Sequence, residues 1–411
     1  MRSNSNEMVT KTLPLAVCSC LSKALGHSRA MELDIRYPAI SDLRDRARKR
    51  IPHFVFEYLD SATGIEDQHR RNQEALKKVL FWPAVLEGPM THDLSTTFLG
   101  RDYPLPFGCS PVGMSGIMWP RAEKILSAAC AKAGIPYGMS NTATVVPETL
   151  APTIGDQGWF QLYMPSSKDV RADVLKRAKD AGFHTLIVTV DVPTDSRRER
   201  QRRADLKIPP KVTPKMLWSM MLHPTWTVGT LREGIPSLKF LEDYTDGDAY
   251  NSVAHAGHIL RGQPGWDDID QIREIWKGPM LVKGIQKPED AKRLAEKGVD
   301  AIWVSNHSGR QFDGGPASID CLPAIRAAVP DTPIVYDSGI TGGLDILRAL
   351  ALGADFVMLG RAFHYAVGAL GEAGPQHLIN LLKDDMTLNM GQIGARTLAD
   401  LPSRLVQDTV P

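Results

Sequence analysis

A histidine and an arginine stand three residues apart in this chain, at His307 and Arg310, just after the hydrophobic run Ala301–Val304. An imidazole can accept a proton, and a guanidinium can hold a carboxylate through two parallel hydrogen bonds. The pair therefore has the groups needed to bind a carboxylic acid and to remove a proton beside it. The run is typical of a buried parallel strand, so both residues are predicted to follow its carboxyl end, where α/β enzymes place their active sites.

Polar residues also stand at or near the carboxyl ends of most other predicted strands. Each buried polar group without a partner would cost about 1 to 3 kcal/mol, so their recurrence favours a binding site over packing. Taken singly the signals are weaker, because Lys283 could be a surface cation and His307 a hydrogen-bonded core histidine. Gly339 and Gly360, near the last two strand ends, are typical of a phosphate cradle and predict a phosphorylated cofactor or substrate. The polar residues are Ser140, Gln161 with Tyr163, Thr189 with Asp191, Lys283, Ser305 with His307, Asp337 and Arg361.

The elements that would position these residues are short β-rich runs that alternate with segments of helical period from about residue 105 onward. Eight such units match an α/β fold, the (β/α)8 TIM barrel, whose interior is packed by Val, Ile and Leu from the strands. A doubly wound sheet is the alternative, but no Gly-x-Gly-x-x-Gly follows the first run. The predicted strands are residues 105–111, 136–140, 159–164, 185–191, 280–285, 301–307, 333–339 and 356–361. The predicted helices include residues 122–133, 170–181, 288–297 and 344–352.

The chain is predicted to contain a tail, a cap, a barrel and an insertion. Residues 1–30 are Ser-rich and indicate a disordered tail or a coding start placed too early, with a targeting peptide as the alternative. Residues 31–104 form an N-terminal helical cap with one helix at 40–58, and residues 105–400 form the barrel. Roughly 85 residues separate the fourth and fifth strands, which predicts a mobile or membrane-facing insertion at 205–265 or else a solvated loop.

The composition argues against several classes of protein. With 48 basic and 47 acidic residues and a formal net charge of +1, it gives no support to nucleic-acid binding. The five cysteines lack the paired spacing of a zinc site and favour a reducing, cytoplasmic setting. No stretch reaches the ~18 to 20 consecutive apolar residues that a transmembrane helix needs.

Together these residues resemble the family of FMN-dependent L-2-hydroxy acid dehydrogenases and oxidases, which includes flavin-type L-lactate dehydrogenase, mandelate dehydrogenase and glycolate oxidase. The resemblance extends from about Tyr37 to Leu401. Its most specific motif is Ser-Asn-His-Ser-Gly-Arg-Gln at residues 305–311, supported by Phe-Gln-Leu-Tyr at 160–163 and Val-Lys-Gly at 282–284. The resemblance implies a barrel that binds FMN and oxidises a lactate-like L-2-hydroxy acid to the 2-keto acid.

The resemblance also assigns FMN to residues at nearly all of the strand ends. Lys283 would place a positive charge beside the flavin N1 and C2 carbonyl, where negative charge accumulates on reduction. The implied FMN-binding residues are Pro111, Val112 and Gly113 through their backbone, then Ser140, Gln161, Thr189, Lys283, Ser305 and Asp337, with Gly339, Gly360 and Arg361 around the phosphate.

Substrate binding and catalysis follow from the same resemblance. His307 is implied as the base, taking either the α-proton or the hydroxyl proton of the substrate, and Asp337 is expected to orient its imidazole. Arg198 lies in the Arg-rich run 197–203, which by itself is typical of a solvated charged face. The implied catalytic residues are His307, Asp337, Tyr163 and Asp191, and the implied substrate-binding residues are Tyr58, Tyr163, Arg198, His307 and Arg310.

Three residues depart from the family's usual pattern. Ser308 stands where glycine is common, which is expected to alter the backbone freedom of the loop. Thr341 replaces a frequent arginine of the FMN phosphate site, which leaves Arg361 and backbone amides to neutralise the phosphate. Gly113 stands where the oxidases typically have alanine and where glycine is frequent among the dehydrogenases.

The electron acceptor is predicted from the insertion. Residues 216–226 are apolar and aromatic, and their placement is similar to that of the segment through which membrane-associated mandelate and lactate dehydrogenases reach quinone. This favours a dehydrogenase that serves a membrane quinone or another acceptor at the inner face of the membrane over an oxidase that releases H2O2, although a lid packed on its own barrel is the alternative. An FMN-dependent isomerase or a non-catalytic barrel would not need the carboxylate-binding set. The family is often tetrameric, so a homo-oligomer is implied.

Overall fold

The structure, a computed structural model, describes residues 31–204, 213–244, 262–407 and 410. The predicted tail at 1–30 and the parts 205–212 and 245–261 of the predicted insertion lie outside the described residues. The chain divides into two units, Met1–Pro38 and Ala39–Pro411. In the first unit the described part contains a helix at residues 31–36. All other described elements belong to the second unit.

The second unit is built on a closed barrel of parallel strands. Its described strands are β1 (Thr96–Phe98), β2 (Arg101–Tyr103), β3 (Phe107–Cys109), β4 (Tyr137–Ser140), β5 (Gly158–Tyr163), β6 (Thr185–Thr189), β7 (Met280–Ile285), β8 (Ala301–Val304), β9 (Ile334–Tyr336) and β10 (Phe356–Leu359). β3 to β10 follow one another around the barrel, and β10 closes it by pairing in parallel with both β9 and β3. This confirms the predicted (β/α)8 barrel.

Four of the eight barrel strands, β6, β8, β9 and β10, end before a polar residue that is predicted at or near their carboxyl ends. β8 contains only buried apolar residues and ends at Val304, after which His307–Gly309 form a short 3-10 turn. β6 likewise ends at Thr189, two residues before Asp191. The polar side chains therefore lie on the connecting loops or within the last residues of a strand, as Gln161 and Lys283 do. The register places Thr189 opposite Lys283 and Ser140 opposite Gln161, which brings these ends to one face of the barrel.

Helices cover the outside of the barrel, and further helices form the segment that precedes its first strand. The predicted single helix at 40–58 is wrong, because two helices, Ile40–Arg50 and His53–Asp60, are separated at Pro52. Proline disfavours helical backbone at the residue before it, and Ile51 is extended at φ −109° and ψ 151°. The described helices are α1 (Ile40–Arg50), α2 (His53–Asp60), α3 (Asp67–Lys78), α4 (Ser115–Met118), α5 (Ala122–Ala133), α6 (Pro147–Ile154), α7 (Lys168–Asp180), α8 (Glu199–Arg203), α9 (Pro214–Met221), α10 (Pro224–Glu233), α11 (Lys239–Glu242), α12 (Trp266–Ile275), α13 (Pro288–Glu296), α14 (Ser318–Ala328), α15 (Gly343–Ala351), α16 (Arg361–Leu370) and α17 (Gly374–Ile393).

An aromatic cluster fills the end of the barrel opposite the polar strand ends. Phe98 of β1 packs against Trp159 with ring centroids 5.8 Å apart and against Phe356 at 5.2 Å. Tyr103 of β2 meets the same Phe356 ring edge-on at 5.2 Å. Trp159 and Phe356 lie at or near the starts of β5 and β10, so the β1–β2 hairpin closes the amino-terminal end of the barrel. The other end is left as the open face.

The described part of the insertion is helical and only partly attached to the barrel. The indole of Trp226 on α10 is buried and donates to the carbonyl of Ile117 over 2.9 Å. Phe240 on α11 packs edge-on against Phe160 of β5, with centroids 6.0 Å apart. α9 has no buried residue. Among the described residues, none of the helices is both long and apolar enough to cross a membrane.

Candidate active site

A cavity of about 1090 Å³ opens at the carboxyl ends of the barrel strands. Most of the predicted site residues line it, and the rest lie directly behind its wall. Ser140 bonds to the lining residue Thr142, Ser305 to Lys283 and Asp191 to His307. The predicted residues that line the cavity are Tyr58, Pro111, Val112, Gly113, Tyr163, Arg198, Lys283, His307, Arg310, Asp337, Gly339, Gly360 and Arg361.

His307 is held in the cavity wall by a carboxylate. Its Nδ1 atom lies 3.1 and 3.2 Å from the two carboxylate oxygens of Asp191, and its side chain is 18% exposed. Burial lowers the pKa of His307, and this outweighs the opposing effect of Asp191. The imidazole is therefore neutral near neutral pH, with Nδ1–H donating to Asp191 and Nε2 free to accept a proton, the arrangement that a general base requires.

The carboxylate that orients His307 differs from the predicted one. We expected Asp337 in this role, but its Oδ2 atom accepts a hydrogen bond from Lys283 over 2.7 Å and its Oδ1 atom accepts one from Ser338. Asp191 fills the role instead, because the loop after β6 carries it toward the loop after β8. Burial alone would raise the pKa of Asp191, but His307 and Lys283 together lower it, so this carboxylate stays ionised beside the imidazole.

Lys283 is the centre of a second buried cluster. Its ammonium donates to Ser305 Oγ over 2.6 Å and to Asp337 Oδ2 over 2.7 Å, and it lies 5.1 Å from the centre of the Trp303 ring. The lysine side chain is 6% exposed and that of Asp337 11%. A buried cation of this kind is stable because its charge and its donors are matched. The cluster thus fixes one positive charge in the cavity wall.

Several arginines that line the cavity, among them Arg198 and Arg310, have no acidic partner among the described residues. No ion pair of the described residues involves Arg198 or Arg310, although many other arginines of the chain form one. The Arg310 guanidinium instead donates to the carbonyls of Tyr58, Leu59 and Ser61 at the end of α2. Burial, together with Arg198 and Arg361, lowers the pKa of Arg310 to about 9. Uncompensated positive charge of this kind favours the binding of an anion such as a carboxylate.

The hydrogen bonds around β4, β5 and β6 fit the flavin that the resemblance implies. Ser140 Oγ donates to Gln161 Oε1 over 2.6 Å, which turns the amide nitrogen of Gln161 away from this bond. That nitrogen and the hydroxyl of Thr189 are buried without a partner. Buried polar groups are rarely left unpaired in native proteins, so these two donors are matched to a ligand with polar edge atoms. The flavin ring system has such atoms.

Gly113 is enclosed by its neighbours on the loop after β3. Its carbonyl accepts a hydrogen bond from the hydroxyl of Tyr58 over 3.2 Å. A Cβ atom at position 113 would lie 2.4 Å from Thr142 Oγ1, a contact that side chains do not make. Glycine therefore allows the loop to approach Thr142, and Thr142 in turn lies between the loop and Ser140. The two positions are coupled at the mouth of the barrel.

Ser308 and Thr341 both depart from the family's usual pattern, and they have different structural consequences. Ser308 adopts φ 54° and ψ 36°, a left-handed backbone that costs a residue other than glycine about 1 to 2 kcal/mol. The hydrogen bond from its amide to Ser338 Oγ, 3.1 Å long, opposes that cost. Thr341 is exposed, and both its amide and its hydroxyl donate to Asp345 Oδ2 over 2.8 and 2.7 Å. Thr341 therefore supplies no positive charge to the phosphate cradle.

Several contributors to the cavity were not predicted from the sequence. Arg200 binds Glu57 and Asp60 on α2, and Arg44 on α1 binds the same Asp60. This network attaches α8, which follows Arg198, to the helices of the cap. His69 on α3 lines the cavity and contacts Arg361. No local sequence motif identifies these residues, because the residues that they contact lie far away along the chain.

The arrangement can bind a carboxylate beside a proton acceptor. Arg198 and Arg310 supply positive charge, His307 supplies a neutral imidazole held by Asp191, and Lys283 fixes a further charge in the wall. These groups surround one cavity that is large enough for a cofactor and a small substrate together.

Comparison with known proteins agrees with this chemistry. The sequence model of the family described as FMN-dependent dehydrogenase matches residues 47–408. The L-lactate dehydrogenase of Acinetobacter baylyi is 38% identical over 373 residues, which are 88% of this chain and 95% of that protein. The enzyme of the same name from Pectobacterium atrosepticum is 38% identical over 384 residues, or 90% and 97% of the two chains.

Solved structures give the same result for the fold. A crystal structure of the monotopic membrane protein (S)-mandelate dehydrogenase superposes with a TM-score of 0.85 at 32% identity, covering 90% of this chain and 99% of that one. A putative lactate oxidase of Pediococcus acidilactici superposes with a TM-score of 0.75 at 29% identity, covering 89% and 94%. Dehydrogenases and oxidases are thus both among the similar structures.

Proposed function

Because the chain belongs to the FMN-dependent dehydrogenase family, we propose that it uses FMN to oxidise a small, lactate-like L-2-hydroxy acid to the corresponding 2-keto acid. The observation that carries this proposal is the pairing of His307 with Asp191 in a cavity lined by Arg198 and Arg310, neither of which forms an ion pair with any residue that the structure describes. A 2-hydroxy acid presents a carboxylate to such arginines and a hydroxyl or α-hydrogen to such a base.

The roles of the residues follow from their positions in the cavity. Arg310 and Arg198 bind the substrate carboxylate, and Tyr163 and Tyr58 donate to its oxygens. For Tyr58 this requires its hydroxyl to turn away from the Gly113 carbonyl. His307 accepts one proton at Nε2, from either the hydroxyl or the α-carbon, and Asp191 stabilises the imidazolium that forms. The flavin, when bound, would accept the two electrons of the oxidation together with the second hydrogen of the substrate. Lys283, held by Asp337 and Ser305, contributes a fixed positive charge to the cofactor's side of the cavity.

The cofactor and the substrate class can be tested in one experiment. The purified protein is expected to show the visible absorption of an oxidised flavin, and L-lactate added under anaerobic conditions is expected to bleach it. D-Lactate serves as the matched control. With its carboxylate on Arg310 and its hydroxyl on His307, its α-hydrogen and methyl group exchange places, so the three groups that must react together cannot all be positioned. Mandelate and glycolate, added in turn, then define the side chain that the cavity accepts. A flavin that none of these acids bleaches would contradict the proposal, as would a protein that binds no flavin.

We further propose that the electrons pass to an acceptor at a membrane surface, such as a quinone. Four large apolar side chains on α9 and the residue after it are exposed: Leu217 by 49%, Trp218 by 61%, Met221 by 64% and Leu222 by 60%. A short helix with tryptophan and leucine on its surface suits the boundary between lipid headgroups and acyl chains. The likeness to a monotopic membrane dehydrogenase supports this proposal.

The membrane contact can be tested with vesicles of phosphatidylethanolamine and phosphatidylglycerol. Leu217→Ser combined with Trp218→Ser is expected to weaken co-sedimentation with the vesicles about 100-fold or more, because each side chain loses about 1.5 kcal/mol or more of burial in lipid. Leu388→Ser combined with Ile275→Ser removes two exposed apolar residues elsewhere and serves as the matched control. Equal losses in the two double variants would contradict the proposed surface.

An oxidase is the second candidate, because a putative lactate oxidase is among the similar structures. Stoichiometric H2O2 release during turnover without an added acceptor would favour it. A tetrameric assembly and a location at the inner face of the membrane stay predictions.

A further inference from the structure

A histidine on α3 contacts the arginine that begins α16. The Nδ1 atom of His69 lies 2.9 Å from Nη1 of Arg361, and both residues line the cavity together with Gly339 and Gly360. The Arg361 guanidinium also donates to the carbonyls of Ser61 and Ser308, while its Nε atom is buried without a partner. The contact therefore joins α3 to the cradle that the resemblance assigns to the FMN phosphate.

The contact with Arg361 indicates which ring nitrogen of His69 carries the proton. The same Nη1 atom lies 3.5 Å from Nε2 of His69, against 2.9 Å from Nδ1. A guanidinium has only donor groups, so the shorter contact assigns Nδ1 as the acceptor and places the ring proton on Nε2. Burial and the nearby Arg361 lower the pKa of His69 to about 3, with Arg44 and Arg200 acting in the same direction and Asp60 opposing them. His69 is thus neutral near neutral pH. Among the hydrogen bonds of the described residues, none gives Nε2–H an acceptor.

The phosphate cradle lacks a positive charge that the resemblance implies, and the Nε2–H group of His69 is a hydrogen-bond donor beside it. Thr341 stands where the resemblance leads one to expect an arginine, and its polar atoms bind Asp345 instead. The other oxygen of Asp345 accepts a hydrogen bond from Arg348 over 2.8 Å. The loop after β9 thus contributes a neutral residue in place of a cation. A phosphate in this cradle has one guanidinium, that of Arg361, and needs further donors.

We propose that His69 is a phosphate-binding residue, which donates from Nε2–H to the phosphate of FMN while its Nδ1 atom positions Arg361. This inference rests on the proposed function, since it concerns the same cofactor. It identifies the chemistry that replaces the missing arginine: a neutral hydrogen-bond donor paired with the remaining guanidinium. Neutral imidazole and phosphate form such a bond without uptake of a proton, so FMN binding does not require His69 to be protonated.

The test compares FMN with riboflavin, which has the same ring system and lacks the phosphate. Dissociation constants are measured by quenching of flavin fluorescence on titration with the apoprotein. His69→Leu is expected to weaken FMN binding about 10- to 100-fold, the range for losing one hydrogen bond to a charged group, and to change riboflavin binding less than about twofold. His69→Gln keeps an acceptor and a donor, and is expected to retain FMN binding within about fivefold of the wild type.

The outcomes separate this inference from the proposed function. Equal weakening of FMN and riboflavin by His69→Leu would show that His69 only packs against the cavity, and an unchanged FMN affinity would show that it does not reach the phosphate. Either result overturns the inference while FMN remains the cofactor. Failure of the wild-type apoprotein to bind FMN at all would contradict the proposed function itself. Thermal unfolding of each apoprotein variant establishes that the fold is retained.

Discussion

Replacing His307 with glutamine is expected to slow the reduction of bound FMN by L-lactate by about 10²- to 10⁴-fold, the usual contribution of a positioned general base. Glutamine is close to histidine in size and can still donate to Asp191, but its amide cannot accept a proton at neutral pH. The backbone amide of residue 307 keeps its hydrogen bond to Ser305 Oγ in the variant, because that bond does not involve the side chain. FMN content is therefore expected to remain that of the wild type. Anaerobic stopped-flow measurement of flavin absorbance gives the rate directly.

His184→Gln is the matched control for this experiment. His184 lies just before β6, at the opposite end of the barrel, where its Nε2 atom is 3.0 Å from the carbonyl oxygen of Asp156. This variant is expected to reduce its flavin at the wild-type rate. Near-normal reduction in His307→Gln would remove His307 from the role of base.

The barrel and the position of its active face could be predicted from the sequence for a physical reason. A parallel strand covered on both faces must be apolar along its length, so the polar residue that ends it is conspicuous. Lys283 and Thr189 each lie two residues before the end of a predicted strand, and the register places them side by side. All carboxyl ends of parallel strands meet at one face, which is why the motifs could be gathered into one site before any contact was known.

The partners of individual side chains could not be predicted in the same way. Asp191 and Asp337 both follow strands, and nothing local shows which of them meets His307. The answer depends on how far each loop bends over the barrel mouth, and the contact joins residues 116 positions apart. His69 was missed for a similar reason, since its partner Arg361 lies 292 positions away. The spacing of residues along the chain predicts secondary structure. Contacts between loops depend instead on how the whole chain packs.

The helical cap is a second case in which the sequence alone predicts the structure incompletely. Its residues 40–58 have helical character throughout, which predicts a single helix, but Pro52 divides the segment into α1 and α2. The carboxyl end of α2 also matters for the site. Because α2 ends at Asp60, the carbonyls of Tyr58, Leu59 and Ser61 are available to the Arg310 guanidinium. A helix end, which has carbonyl groups without helical partners, thus positions the arginine proposed to bind the substrate.

Asp191→Asn is expected to lower the rate of substrate-driven flavin reduction by about 10²- to 10⁴-fold, as in other enzymes whose catalytic histidine is oriented by a buried carboxylate. The carboxylate raises the pKa of His307 against the effect of burial, so its removal lowers that pKa further. Because neutral His307 is the active base, kcat/KM falls on the acid side of its pKa, and this acid limb is expected to move to lower pH in the variant while the plateau falls.

Asp337→Asn provides the contrast that decides between the two carboxylates. Asp337 binds Lys283 and does not touch His307, so its loss leaves a buried ammonium without a charged partner. This variant is expected to weaken FMN binding and to shift the flavin's reduction potential, while the acid limb of kcat/KM for any FMN-loaded enzyme stays at the wild-type pH. A pH profile that moves in Asp337→Asn and not in Asp191→Asn would restore Asp337 as the residue that orients His307. The two carboxylates thus have separable tasks, one acting on the proton acceptor and the other on the cation in the cavity wall.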